Sequence, residues 1–330
     1  MTAALVIASL TSAPGVHAQS PGSAPRSRPA LPEETSGVDA IARTLISVFD
    51  RVDIVALGEW HGRIRLDSDL RMALIHQPEF ARKVRFIVIE CGSVSEQSTL
   101  DRYIRGKDVP RTQLERVWKA TEETTNGFCD EPIYPGFLAA VRDVNSKLPA
   151  ADRIRVLGGH PGRGAQRGIE TTAVTVLRDQ VLQQHGKALV IFGAVHFYRT
   201  LPPQMLSTMG NDIGLGNKLD VEFPGRTFTV IPVGPLDAPR GAATSIAPDF
   251  GKFDRALRTT ARPVLVSLQR PPFRDLSADE FLGRTMTSCS RTGGCASVFK
   301  GSTITLGQMA DACVYVGGNA AADAKRKPAP

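Results

Sequence analysis

No Gly-x-Ser-x-Gly elbow occurs in this chain, so a serine hydrolase would have no nucleophile turn. A Walker A sequence and a His-Glu-x-x-His helix are missing too, which excludes the P-loop and zincin arrangements. The Gly214-Leu-Gly216 stretch has no apolar strand before it and reads as a surface turn, not a dinucleotide loop. There is no zinc-finger spacing and no RNP-like aromatic pair. The 40 Lys and Arg against 33 Asp and Glu are dispersed, so the formal charge of +7 favours solubility and weak attraction to anionic surfaces over nucleic-acid recognition. The one compact basic cluster, Lys325-Arg-Lys327, falls in a Pro/Ala tail. Past the N-terminal segment no stretch is long and apolar enough to span a bilayer, and no internal repeat stands out.

The N-terminal segment is apolar over Ala3 to Leu10 and closes on Val16-His-Ala18, the small-residue pattern of a signal-peptidase site. Residues 1–18 are therefore expected to be a signal peptide and 19–35, with four prolines among Ser, Gly and Arg, a disordered linker. No Cys follows the apolar stretch, so a lipid anchor is not expected there. A periplasmic or secreted location follows. Export would place the five Cys residues in an oxidising compartment. Cys289 and Cys295 flank Ser-Arg-Thr-Gly-Gly and are expected to pair, with Cys313 as a competitor. Cys91 follows a strand end and Cys129 lies in a turn; an odd total leaves at least one thiol free or paired between chains.

Short Val- and Ile-rich runs recur at 53–58, 86–90, 154–158, 188–192, 227–233 and 263–268, each ended by turn or polar residues, as buried parallel strands are. Amphipathic or capped helical stretches separate them, for example 38–49, 66–74 and 169–184; in the last, Gly186 is the expected left-handed cap. One crossover helix per strand-to-strand interval is the βαβ pattern. The expected fold is three-layer α/β/α with a central, mostly parallel sheet of about five or six strands. The domain would run over 36–285, with a Cys/Gly-rich closing segment at 286–317 and a disordered tail at 318–330. The irregular crossover at 107–135 is expected to be a helical insertion over the carboxyl edge of the sheet, where pocket walls and lids form.

Ionisable residues stand just past several strand ends, where open α/β sheets build sites. Glu59 and His61 follow Gly58, Glu90 ends four apolar residues, and His196 follows Gly193-Ala-Val. A carboxylate after an apolar run is costly unless it is paired, hydrogen-bonded or bound to metal. If the chain stays extended, Glu59 and His61 point the same way; if it turns at Glu59, His61 is the first side chain to look into the pocket. His160 stands at the mouth of a third strand. Arg71 is placed either to fix a site carboxylate or to bind a substrate anion, and Trp60 and Tyr198 flank the cluster as a candidate aromatic wall. His76 and His185 sit at helix C-termini and read as structural. Such a set works without metal if His61 is a general base on water, a Glu tunes it, and His196 or an Arg stabilises an oxyanion. Glu59, His61, Glu90 and His196 are also acceptable ligands for a divalent ion that would lower the pKa of bound water. Either route hydrolyses an ester, lactone or amide.

Leu57-Gly-Glu-Trp-His-Gly62, Arg71, Phe86-Ile-Val-Ile-Glu90 and Phe192-Gly-Ala-Val-His196 together resemble the erythromycin esterase-like group and its relatives, the ChaN-like haem-uptake proteins and the Tiki/TraB proteins. The resemblance spans about residues 50 to 235. It implies that His61 is the water-activating base, that Glu59 and Glu90 are the two acidic site residues, and that His196 is the second site histidine. The opening motif here is Gly-Glu-x-His, one residue shorter than the esterase form and equal to the ChaN-like spacing. That branch implies the alternative of a non-catalytic protein binding haem or iron at a surface Tyr; the Tiki-like relatives imply a divalent metal. A small molecule or peptide is the implied substrate, with the oligomeric state open.

Overall fold

A computed structural model describes residues 29–31, 34–61, 65–121, 129, 133–165, 168–209, 214–234, 251–282, 287–289 and 295–317. The signal-peptide expectation and the expected tail fall outside these residues. The strands are β1 (Thr35–Ser36), β2 (Ile54–Glu59), β3 (Phe86–Ser93), β4 (Arg155–His160), β5 (Ala188–Gly193), β6 (Thr227–Val233), β7 (Val264–Ser267), β8 (Thr287–Cys289), β9 (Cys295–Ser297) and β10 (Ala312–Tyr315). Among the described residues, eight of them form one sheet in the order β1-β7-β10-β6-β2-β5-β3-β4. From β10 to β4 every neighbouring pair is parallel, while β7 and β1 are antiparallel additions at one side.

All six anticipated strands are present. The sheet is wider than expected because β1 and β10 join it. β10, from the segment 286–317, lies between β6 and β7 in the interior of the sheet. Pro232 is tolerated inside β6 because the pairing with β2 stops at Leu57 opposite Val230, two residues earlier.

Strand alternation divides the side chains between two layers. On one face Val55, Leu57, Ile87, Ile89, Leu189, Ile191 and Val230 pack under six helices. These are α1 (Val38–Val48), α2 (Arg65–His76), α3 (Pro78–Lys83), α4 (Gln97–Ile104), α5 (Arg111–Lys119) and α6 (Ile133–Ser146). On the other face Ile54, Ala56, Val88, Val190 and Phe192 meet α7 (Ile169–Val176). Met205 of α8 (Pro203–Met209) packs under the β6, β7 and β10 half, and Leu219 of α9 (Leu215–Glu222) joins the α7 layer. The helix begun by α7 continues through a wider turn at Leu177–Val181 and a tight one at Leu182–Gln184. His185, at φ 53°, takes the left-handed cap position there instead of Gly186. Gly186 is required for another reason: a Cβ would lie 2.6 Å from the Phe86 ring.

One disulfide joins Cys91 of β3 to Cys129, with Cα atoms 5.4 Å apart, and Cys313 is a buried free thiol. Spacing alone gives neither Cys91 nor Cys129 a partner, because only the folded crossover brings residues 38 apart into contact. Cys289 and Cys295 face each other in the β8–β9 register, and their side chains lie outside the described residues. The 107–135 crossover returns to the carboxyl edge of the sheet at two points, Cys129 on β3 and Tyr134 over Glu59.

Candidate functional site

The parity of β2 and β3 decides how the site is assembled. Glu59 follows Val55 and Leu57 on the face covered by α2 and α6, whereas Glu90 follows Val88 onto the face covered by α7. The two carboxylates thus emerge on opposite faces of one sheet. His61 spans the edge between them.

The bridge depends on a turn. β2 ends at Glu59 and His61 adopts φ 53°, a left-handed conformation uncommon for a residue with a side chain. His61 Nδ1 then lies 3.2 Å from Glu59 Oε1 and Nε2 lies 3.7 Å from Glu90 Oε2. Gly193, the last residue of β5, makes room for the ring: a Cβ there would lie 2.7 Å from His61 Nε2. The Gly193 amide also donates to Glu90 Oε2 at 2.6 Å, fixing the carboxylate beside the ring.

His196 enters from the short helical turn Ala194–Phe197 after β5. Its Nε2 is 3.3 Å from Glu90 Oε1 and its Nδ1 is 2.6 Å from Glu170 Oε1. Glu90 therefore stands between two imidazoles. Glu59 is held from its other side by Arg71 Nη2 at 3.0 Å and by the Tyr134 hydroxyl. The result is a continuous row of alternating charge, Arg71, Glu59, His61, Glu90, His196 and Glu170. The carboxylates are buried, while the His61 and His196 side chains keep 12% and 13% exposure and form the part of the row that reaches the surface.

Proton affinities follow from this order. Burial opposes the charged form of His61, but the Glu90 carboxylate and the contact with Glu59 outweigh it and raise its pKa to about 9. His196 is likewise penalised by burial and is nevertheless held well above the usual histidine range by Glu90 and Glu170. Burial would lift Glu90, yet the two imidazoles pull it down to about 2. Glu59 is lowered despite burial, chiefly by Arg71. Asp67 moves the other way: burial first and the Glu59 charge second raise it to about 7, although the Trp60 amide donates to it at 2.7 Å.

Of the residues singled out from sequence, Glu59, His61, Glu90 and His196 are brought together. Arg71 is 1% exposed, with its guanidinium over the Tyr134 and Phe137 rings, so it fixes a site carboxylate and does not reach a substrate anion. His160 is 1% exposed and accepts the Gly162 amide on Nδ1 at 2.9 Å, which holds the turn after β4 instead of facing substrate. Trp60 is half-buried against the core, and its indole N–H donates to the Pro232 carbonyl at 3.4 Å. Tyr198 is fully buried beside Phe299 in the β6, β7 and β10 half, so it forms no wall to the cluster.

Glu170 and Tyr134 were not anticipated. A Glu in the first turn of a helix is ordinary where the backbone dipole favours it, and an aromatic near a helix start reads as packing. The one available signal was negative: Glu170 lies in a segment otherwise suited to burial, Ile-Glu-Thr-Thr-Ala-Val-Thr-Val.

The metal expectation does not fit the geometry. Among the described residues no three His, Cys, Asp or Glu side chains converge as a ligand set. The four suggested ligands face one another as ion pairs, on two sides of the sheet edge. The surface-Tyr haem expectation leaves only Tyr103, half-buried on α4, as a candidate. Of the four tyrosines, Tyr134, Tyr198 and Tyr315 are fully buried, and Tyr103 lies under the Arg142 guanidinium at 4.9 Å.

Fold and site define an α/β/α protein with a buried His/Glu network over the carboxyl edge of its sheet. No protein-family model matches the chain, and no curated protein does. Solved structures do. A Bacillus cereus protein is 14% identical, with 86% of this chain and 93% of that one covered and a TM-score of 0.51. A succinoglycan biosynthesis protein is 11% identical over 82% and 89%, at a TM-score of 0.53. Erythromycin esterase EreC, a mutant in its open conformation, is 11% identical over 86% and 97%, at a TM-score of 0.50. At such identities the likeness establishes a shared fold.

Proposed function

We propose that the chain is an exported hydrolase of the erythromycin esterase-like type, cleaving an ester, lactone or amide with water activated by His61. The observation that carries this reading is the placement of two partly exposed imidazoles on one buried carboxylate, His61 and His196 on Glu90 at 3.7 and 3.3 Å. The two rings are not equivalent. His196 is held at both nitrogens by carboxylates, so it keeps its proton. His61 is held closely only at Nδ1, and its Nε2 stands beyond hydrogen-bond distance of Glu90. The first proton to leave the pair therefore comes from His61 Nε2, and Glu59 fixes the remaining one on Nδ1.

Neutral His61 then takes a proton from water at Nε2 while the water oxygen bonds to the substrate carbonyl carbon. The His196 cation stabilises the oxyanion that forms. Collapse of the tetrahedral intermediate breaks the bond to the leaving group, which receives the proton held on His61 Nε2. No bond to the protein forms at any stage. The erythromycin esterase fold supports this reaction class, and the buried Cys91–Cys129 disulfide supports export to an oxidising compartment. The test is hydrolysis of a panel of esters, lactones and amides by wild type and His61→Ala, with and without added divalent metals. Turnover that disappears in the variant is expected; wild-type inactivity across the panel, or equal activity in the variant, would overturn the assignment.

A further inference from the structure

We infer that a second site, a cleft at the opposite, amino-terminal edge of the sheet, binds a small phosphorylated anion. The cleft has a volume of about 310 Å³. That is the lower end of the range for small-ligand pockets, roughly 300–1,000 Å³. Arg85, Arg105, Arg153 and Arg155 line it, with Asp101 as the one acidic side chain of the lining. It opens where β3 and β4 begin: Phe86 and Arg155 are register partners, and the Arg155 amide donates to the Arg85 carbonyl at 2.8 Å. Glu90 lies four residues further along β3, roughly 13 Å at the rise of a strand, so the cleft is separate from the imidazole cluster.

The charges in the cleft do not balance internally. Arg155 grips Asp101 side-on, with two contacts of 3.1 Å, and Arg105 reaches the same carboxylate at 3.5 Å. Asp101 is thus answered twice. Arg153 donates through Nε to the Leu148 carbonyl at 3.3 Å, and neither it nor Arg85 has a carboxylate partner among the described residues. Arg153 is extended at φ −66° and ψ 138°, so it and Arg155, two residues on, project to the same side. Four guanidiniums against one carboxylate leave three positive charges around a space that fits a ligand of about the size of tripolyphosphate. Offsetting the carbonyls at helix C-termini accounts for Arg105 and for one nitrogen of Arg153. It leaves Arg85 and the Arg153 fork without a carboxylate partner among the described residues. Guanidinium forks match phosphate oxygens two at a time, which favours phosphate over a diffuse anion. The floor is held in shape by Asn145, which exchanges two hydrogen bonds of 2.8 Å with the Ile154 backbone.

The experiment is calorimetric titration of the full chain with sodium tripolyphosphate, and separately with orthophosphate. Wild type, Arg85→Ala/Arg153→Ala and, as a control elsewhere on the surface, Arg258→Ala are compared at constant ionic strength. One-to-one saturable binding of tripolyphosphate is expected, at least tenfold weaker in the double variant, unchanged in Arg258→Ala and weaker for orthophosphate. His61→Ala retains the wild-type affinity, which separates this outcome from any result at the imidazole cluster. Circular dichroism checks the fold of the double variant. Should it not fold, Arg85→Ala alone, at an exposed side chain, is expected to lose at least threefold. No saturable binding, or equal affinity in the Arg85 and Arg153 variants, would overturn the site. So would an equal loss in Arg258→Ala, which would indicate diffuse charge, or binding of single-stranded RNA without binding of tripolyphosphate.

Discussion

Replacing Glu90 by Gln removes the one charge shared by the two imidazoles while keeping an oxygen to accept the Gly193 amide. At the His61 Nε2 to Glu90 Oε2 separation of 3.7 Å, Coulomb's law with an effective dielectric of about 20 gives about 4.5 kcal/mol. At about 1.4 kcal/mol per pKa unit that is roughly three units of support for the protonated ring. Burial, which opposes the charge, is unchanged by the substitution, and the Glu59 contact stays. The His61 midpoint is therefore expected to fall from about 9 towards the ordinary histidine range. The assay is a pH titration of the imidazole nitrogens by NMR, with circular dichroism to confirm the fold; it needs no substrate. His196, closer to Glu90 at 3.3 Å, loses support as well but stays the higher of the two because Glu170 still holds its Nδ1. A folded Glu90→Gln protein whose His61 still titrates near 9 would refute the reasoning. If the variant does not fold, Glu59→Gln removes the contact on the other nitrogen and is expected to lower the same midpoint.

Five further outcomes are expected. If neutral His61 is the base, kcat/KM of the wild type rises by about tenfold per pH unit from pH 7 and levels near 9; a pH profile flat across that range would contradict the role. Stability follows the same groups with opposite signs, measurable by urea denaturation across pH. The His61 contribution is fully present below its unfolded pKa of 6.5 and is lost as pH rises through about 9. The Glu90 contribution is present above 4.5 and is lost as pH falls towards about 2. Gly193→Ala drives a methyl group to 2.7 Å from His61 Nε2 and should destabilise the fold by about 1–3 kcal/mol, with at least tenfold less hydrolysis. Arg71→Met leaves the Glu59 carboxylate buried without its guanidinium and should lower the unfolding free energy by about 3–5 kcal/mol in chemical denaturation. Non-reducing peptide mapping should find Cys91 linked to Cys129; Cys289 linked to Cys295 is the second expected bridge.

Much of the architecture was legible along the chain because burial is written locally. A strand covered on both faces needs a continuous apolar run, and the six such runs from 53 to 268 all became strands. β10 escaped notice because Ala-Cys-Val-Tyr is four residues long inside a Gly- and Thr-rich segment, and β1 has two residues. Glu90 and His196 were legible for the complementary reason: an ionisable group at the end of an apolar run needs an explanation. Glu170 needed none at a helix start, and Cys91 and Cys129 carried no mark of their shared fate.

Residue order alone, then, determined six of the strands and that four acidic and imidazole side chains stand at the carboxyl ends of three of them. Only the tertiary structure decided that Glu59 and Glu90 leave the sheet on opposite faces and that a left-handed His61 joins them. It also decided that Arg71 supports a carboxylate from inside the core and that Tyr198 is buried in a different layer. The physical reason is range. Periodicity and burial act over neighbouring residues, whereas the proton affinity of an imidazole is set by whichever charges the fold carries to within a few ångströms, as Glu90 of β3 is carried to within 3.3 Å of His196 beyond β5.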